Sequence, residues 1–546
     1  MVMSSESATS PETSDRPSLI RIISQQANRI LNLEEENQGL KNLVQTLKDE
    51  IRRLKREKGR PVLKPSLPDQ PLEDKKPRRT GNWKKRGKTI TVTRTERLPI
   101  DPAVLPADAR YKGTRRIVIQ DLQIDPDNVA FEIERYYSPS ERKTYEASLP
   151  QGYDGSFFGP GIRHLVLALH YQGRLPQKLL QTLLSGMGVL ISEGEVAALL
   201  VRSGAPFEAE NEAACRAAVR KHRYQHIDDT GARLLGKNGA TIVTGNESFV
   251  AYRTGAHKNR LAALQALRRT EALRYRLDKE AIAYIQRKLP HTALDTILKR
   301  WGTRVFANGE DFEKNVLGHP DLRLYSPQAL RYVREAAAVA AFRAEDPTTQ
   351  LVCDDAGQFK GLTRFLQLCW IHAGRHFKIL DPSTPEFRQI LNRFLDALWT
   401  YYDRLLEYQR TPRSKDKARL RREFDLVFKP ETGYYALDRR IQKTRRQKTE
   451  LLTVLSFPKI PLHNNPCELD VREKVVQRKI RNCHRSPAGA RASDLFLGLM
   501  GTCRKNEISF WAFLKDRIYQ TRAIPELQKI IFSSSPSRGS PHAPTY

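Results

Sequence analysis

The chain has 546 residues, 93 Lys+Arg against 62 Asp+Glu, and a formal net charge of +31. Such a length holds apolar material for more than one domain, and such a charge calls for a polyanionic partner, nucleic acid before anionic membrane. No run approaches the roughly 20 apolar residues of a spanning helix. The cysteines at 215, 353, 369, 467, 483 and 503 are scattered with no C-x-x-C pair, as in reduced cytoplasmic proteins rather than disulfide frameworks.

Residues 1–17 are rich in Ser, Thr and Pro, lack the apolar core of a signal peptide, and are expected to be disordered. A heptad pattern occupies 18–58. Leu33, Leu40, Leu47 and Leu54 fall at d, and Ile30, Asn37, Val44 and Ile51 at a. β-Branched a residues with Leu at d favour a parallel dimer, and the lone Asn37 fixes its register. The flanks agree in sign: Arg29 faces Glu34, Glu36 faces Lys41, and Glu50 faces Lys55 of a partner. Residues 59–86 form a basic, Pro-rich linker beside this zipper, where its charge is placed to grip phosphates.

Residues 87–158 carry β-rich pieces, "KTITVTRTE" and "RRIVIQDLQI", and read as a small β module. Residues 159–220 read as helical, and "GVLISEGEVAALL" has helix-turn-helix character with Ser192 as an N-cap. A mixed pattern starts at 221. "RYQHIDDTGAR" is a strand ending in Asp228–Asp229 and a Thr-Gly turn, "ATIVTGNESFVAYRTG" is two strands joined at Gly245–Asn246, and helices fill 257–345. "LVCDDAGQF" then ends a strand at Asp354–Asp355, and "FLQLCWIH" holds another. Residues 381–457 form a long charged helical insertion, 458–530 return to the core through the basic helix "ELDVREKVVQRKIRN", and 531–546 form a disordered tail.

Strand, hairpin, helices, strand, helix is the order of a ribonuclease-H-like sheet, occupying 221–380 and 458–530. The expected fold class is therefore multidomain α+β: coiled coil, small β module, helical DNA-binding segment, and a ribonuclease-H-like α/β catalytic domain with a helical insertion. Such a sheet gathers carboxylates from remote segments. Asp228 and Asp354 end neighbouring strands, and Glu468 starts a later helix. Oxygen ligands of this kind suit Mg²⁺ (or Mn²⁺), and two ions are able to serve an in-line phosphoryl displacement. Taken singly, an Asp before Gly is a turn former, and a Glu at a helix start favours the dipole. Cys369, His372 and His376 have C-x2-H-x3-H spacing but supply three ligands only, and zinc is not expected.

Four segments, "HIDDTGAR", "LVCDDAGQF", "LQLCWIHAGRHFKIL" and the run from "NNPCELDVREK" to "GTCRKN", resemble in order the motif blocks of insertion-sequence-66 type transposases. Asp228 matches the first block's Asp, with Asp229 where Glu is usual. Asp354 matches the second block's Asp, with Phe359 at its aromatic position. Cys369, Trp370, His372 and Phe377 match the third block, and Asn464, Asn465 and Glu468 the fourth, with Arg478 and Lys479 at its downstream basic pair. Two departures stand out: "HAGRHF" replaces paired arginines, and residues 60–160 hold none of the cysteines of the family's zinc segment. The resemblance implies a DDE-type transposase that cuts and joins DNA with Mg²⁺ or Mn²⁺, two ions held by Asp228, Asp354 and Glu468. One aspartate of each pair is then a ligand, its neighbour structural.

Beyond Glu468, Arg472, Lys474, Arg478, Lys479 and Arg481 are expected to guide the DNA backbone, and His372 to position substrate. Partners are then double-stranded DNA (transposon ends and target), a second copy through the zipper, and accessory proteins as an open question, in a bacterial cytoplasm at the nucleoid, with no membrane role. A competing reading is a non-catalytic DNA-binding dimer derived from a transposase; a ribonuclease or resolvase on the same sheet is a third.

Overall fold

The computed structural model describes residues 16–54, 92–101, 104–106, 108–122, 124–153, 156–269, 272–289, 294–346 and 349–533. Most of the expected N-terminal disordered segment, the basic linker and most of the C-terminal tail lie outside these residues. The heptad segment is one 39-residue helix, α1 (Arg16–Leu54). Its seam side chains Ile30, Leu33, Leu40, Val44, Leu47 and Ile51 are exposed at 47–56%, as is Asn37; the side chain of Leu54 lies outside the description. The polar side of α1 is docked instead. Asn42 Oδ1 accepts from the Tyr435 N–H at 3.1 Å. Buried Gln45 accepts from the Ser383 N–H at 2.9 Å and donates to the Asp381 carbonyl at 3.1 Å.

Among its described residues the expected β module holds one hairpin, β1 (Arg135–Ser138) antiparallel to β2 (Lys143–Glu146). "RRIVIQDLQI" forms no strand among its described residues, and Ile119 and Leu122 are 83% and 78% exposed. Alternating apolar residues hold a strand only where a ladder partner and a core cover one face; among the described residues this segment has neither. Next come α2 (Pro160–Leu167), continued by a π-helical turn to Gln172, then α3 (Gln177–Gly186), α4 (Glu193–Arg202) and α5 (Ala205–His222). Ser192 caps α4 in a reciprocal box: Ser192 Oγ accepts from the Glu195 N–H at 3.2 Å, and the Glu195 carboxylate accepts from the Ser192 N–H at 2.7 Å.

The central sheet begins with β3 (Tyr224–Leu234), β4 (Lys237–Gly245) and β5 (Val250–Gly255). The expected Thr-Gly turn is absent: β3 runs on through Thr230 and Gly231, stays paired with β4, and turns at Leu235–Gly236, both at positive φ. That is the two-residue hairpin geometry matching strand twist. Helices α6 (Arg260–Arg268), α7 (Lys279–Lys288), α8 (Leu294–Lys299), α9 (Gly309–Phe312) and α10 (Pro327–Glu345) follow, with a small pair, β6 (Tyr275–Leu277) and β7 (Arg304–Phe306), among them. The chain re-enters the sheet as β8 (Gln350–Cys353) and β9 (Phe365–Leu368), then forms α11 (Trp370–Lys378). The strand order is β5-β4-β3-β8-β9; β4 is antiparallel to both its neighbours, and β3, β8 and β9 are parallel.

Residues 381–457 hold α12 (Pro385–Arg410), α13 (Ser414–Val427), α14 (Tyr435–Arg445) and α15 (Lys448–Leu451). The C-terminal helices are α16 (Asn465–Arg481), α17 (Pro487–Lys505), α18 (Phe510–Ile518) and α19 (Leu527–Ser533). The sheet is covered on both faces. Ile227, Ile242 and Leu351 belong to a core shared with α6, α10 and the insertion, and Val243, Val250 and Tyr252 to one shared with α5, α17 and α18. Period-two alternation on β4 divides the two cores, whereas β8 is buried throughout, as suits a central parallel strand.

Candidate active site

Asp228 and Asp354 are brought together by strand register. On the parallel pair β3 and β8, His226 stands opposite Val352, so two residues further on Asp228 lies beside Asp354. β8 has ended there, at Cys353, while Asp228 remains paired with Val243 of β4. Glu468 joins from the first turn of α16, which packs across β3 and β4.

A buried polar clip holds that helix in place. Asn464, at the α16 N-terminus, is 1% exposed. Its Oδ1 accepts from His226 Nδ1–H at 2.8 Å, its Nδ2 donates to the Ile227 carbonyl at 3.1 Å, and its backbone N–H donates to Cys369 Sγ at 3.3 Å. The Trp370 N–H meets the Leu462 carbonyl at 2.9 Å. The strand of Asp228, the helix of His372 and the helix of Glu468 are thus tied at one point. His226 is a satisfied core histidine, and burial drives its pKa down to about 3. Cys369 caps α11, its sulfur accepting from the His372 N–H at 3.4 Å.

The members of each aspartate pair have different surroundings. Asp229, on the opposite face of β3 from Asp228, meets Lys258 at 2.5 Å and Gln358 at 2.6 Å. Asp355 is held by Lys360 and by Gln447 of the insertion. Burial raises the Asp355 carboxyl, yet Lys360 and Gln447 outweigh it and leave it below the usual range. Among the described residues Asp228 and Asp354 accept only backbone N–H groups, from Asp229 at 2.7 Å and Ala356 at 3.1 Å. Burial, together with the charges of Asp354, Asp229 and Glu468, pushes the Asp228 carboxyl up to about 7. Glu468 is engaged by Arg375 of α11 through two contacts of 3.2 Å. Among the described residues, no three His, Cys, Asp or Glu side chains stand grouped to hold one metal ion.

The basic residues after Glu468 divide. Arg472 and Lys479 are exposed. Arg478 is half-buried against the Gly231 carbonyl. Lys474 is not on the surface as its place in the stripe implied: it is 4% exposed and paired with Asp494 at 2.6 Å. Arg481 is also turned inward, onto the His170 carbonyl and the Tyr171 ring, and burial lowers its pKa to about 10. The buried side of α16 is built from charges matched by charges, Asp470 with Lys505 at 2.7 Å and Glu473 with Arg174 at 2.8 Å besides Lys474 with Asp494. Lys474 and Arg481, expected on a DNA-facing stripe, are instead drawn inward because buried cations need partners, and those partners are remote in sequence.

His372 sits half-buried one helical turn before His376, the rings 5.1 Å apart. Burial, with Arg440 and His372 nearby, lowers His376 to about 4. The insertion helix α14 packs on α11, and its Lys443 lies 4.0 Å from Asp355. Sequence reasoning missed Arg375 as a site residue; the signal was its place in the third motif block, three residues after His372.

A family model described as "Transposase IS66 family" matches residues 155–286 and 305–492. The chain belongs to the IS66 family of transposases. It is 36% identical over 297 residues to "Uncharacterized protein y4jO" of Sinorhizobium fredii (strain NBRC 101917 / NGR234), spanning 54% of this chain and 91% of that protein. No solved structure matches it. No helix among the described residues is long and apolar enough to cross a membrane.

Proposed function

We propose that this chain is a DDE-type DNA transposase that cleaves and rejoins DNA at transposon ends, with a ribonuclease-H-like catalytic domain. What supports the reading is Asp228 on β3 beside Asp354 just past the end of β8, with the charge of Glu468 on α16 near enough to raise the Asp228 carboxyl. The three side chains as they lie are not grouped around one ion position. The sheet order, with an antiparallel second strand and carboxylates on adjacent parallel strands, supports the fold assignment. The donor set is all oxygen, and Asp228 and Asp354 have no cationic side chain on them among the described residues, which fits a hard divalent cation such as Mg²⁺ or Mn²⁺. Two such ions, when bound, lower the cost of charge on the attacking and leaving oxygens.

The chain's own residues supply the rest. Asp228 is held on β3, Asp354 directly follows the end of β8, and Glu468 sits on a helix anchored through Asn464. His372, Arg472, Lys479 and Arg478 carry DNA backbone beside them, where each phosphate contact adds salt-dependent affinity. Lys443 and Arg440 extend that surface on the insertion. The α3–α4 pair offers a candidate duplex reader, and the exposed seam of α1 a parallel coiled coil with a second copy.

The test uses a duplex carrying the ends of the encoding element, incubated with the protein in Mg²⁺ and in EDTA. Metal-dependent nicks leaving 3′-hydroxyls, followed by joining to a target, are expected. A shifted but uncut duplex in Mg²⁺ would establish the non-catalytic binder instead.

A further inference from the structure

Of Asp228, Asp354 and Glu468, Glu468 alone carries a basic side-chain partner among the described residues. Arg375 meets it fork to fork, Nη1 to Oε1 and Nη2 to Oε2, each at 3.2 Å; this bidentate geometry is the one guanidinium makes with carboxylate or phosphate. The backbones beneath the pair are fixed. The first turn of α11 and the start of α16 are joined through Cys369 Sγ and the Leu462 carbonyl. On the far side α11 is pressed against α12: a Cβ on Gly374 would come within 2.7 Å of the Trp399 ring. The side chains are freer, Arg375 being 53% exposed and Glu468 34%. Any change of partner at Glu468 is therefore a side-chain rotation, with no helix movement required.

We propose that Arg375 is a positioning residue, the resident counter-cation of Glu468, which a divalent ion displaces and which is thereby released to grip a phosphate oxygen of the DNA strand. This rests on the metal reading of Asp228, Asp354 and Glu468 given above. An exposed guanidinium on a carboxylate is a weak competitor, so it neutralises Glu468 before loading and yields to a divalent charge. Its fork then faces the surface where His372, one turn earlier on the same face of α11, also lies. Among the described residues no other motif residue pairs with Glu468 in this way, and replacement of Arg375 by Lys keeps the charge while losing the fork.

The test measures Mn²⁺ binding to the DNA-free protein by the electron paramagnetic resonance of the free ion, a readout independent of turnover. Arg375→Ala is expected to tighten binding about two- to fivefold, the range an exposed ion pair supplies. The same substitution on a Glu468→Gln background is expected to change nothing, and Arg375→Lys to lie between Arg375→Ala and wild type. Unchanged or weaker binding in Arg375→Ala, while binding still depends on Asp228, overturns the role of Arg375 and leaves the metal reading standing. Wild-type binding that Asp228→Asn does not reduce overturns both.

Discussion

Replacing Lys474 by Met separates a structural lysine from a DNA-binding one. Its ammonium is buried 2.6 Å from Asp494, whose carboxylate also accepts the Thr254 N–H at 2.6 Å and the Thr254 hydroxyl at 2.9 Å. Removing one partner of a buried pair costs about 3–5 kcal/mol because the other charge is stranded. The two Thr254 hydrogen bonds remain, which places the expected loss near about 3 kcal/mol. Adding Asp494→Asn removes the stranded charge and is expected to recover about 1–2 kcal/mol, a coupling normal for residues in contact. Urea denaturation followed by tryptophan fluorescence reads both values. DNA affinity of the folded variant, measured across salt concentrations, is expected to keep the wild-type slope, since a buried ammonium releases no counterion. Stability within about 0.5 kcal/mol of wild type, together with a slope reduced by about one charge, would refute the packing of α16 described above.

Three further outcomes follow from the same structure. Arg472→Ala and Lys479→Ala are each expected to reduce the salt slope of DNA binding by about 1, with affinity falling alike for all sequences. Leu33→Asp with Leu40→Asp is expected to convert a dimer into a monomer in sedimentation, because both interrupt the exposed seam of α1. His170 is buried on the Leu175 carbonyl at 2.8 Å and depressed to about 3, chiefly by burial. Because the unfolded chain binds that proton near pH 6.5 and the native chain does not, stability is complete above pH 6.5 and falls with acidification. From pH 6.5 to 5 the loss is about 2 kcal/mol. Comparing urea midpoints at pH 7 and 5, His170→Asn should show a correspondingly smaller drop.

The elements legible in the sequence were those with local signals. Ser192, read as an N-cap, announced α4, and the β-branched runs "ATIVTG" and "FVAYRTG" gave β4 and β5. The expected inequality within each aspartate pair has a counterpart in their surroundings: among the described residues Asp229 and Asp355 have side-chain partners, while Asp228 and Asp354 accept backbone N–H groups. What the sequence concealed depends on contacts between distant segments. Thr230–Gly231 looked like a turn, but β4 continues to pair there and keeps β3 extended. Apolar alternation at 115–124 promised strands that no second layer covers. Lys474 and Arg481 lay on an apparent cationic stripe, and only the folded chain shows the Asp494 carboxylate and His170 carbonyl that draw them inward. Arg375 was visible as a motif residue, yet its partnership with Glu468 spans 93 residues and has no local trace.

The central claim is that Asp228, Asp354 and Glu468 act as one metal-holding set. Strand transfer in Mg²⁺ by Asp228→Asn, Asp354→Asn and Glu468→Gln, each made singly and each checked for wild-type affinity to transposon-end DNA, tests it most directly. The account predicts that all three bind DNA normally and join none of it to target; wild-type joining by any one of them would contradict it.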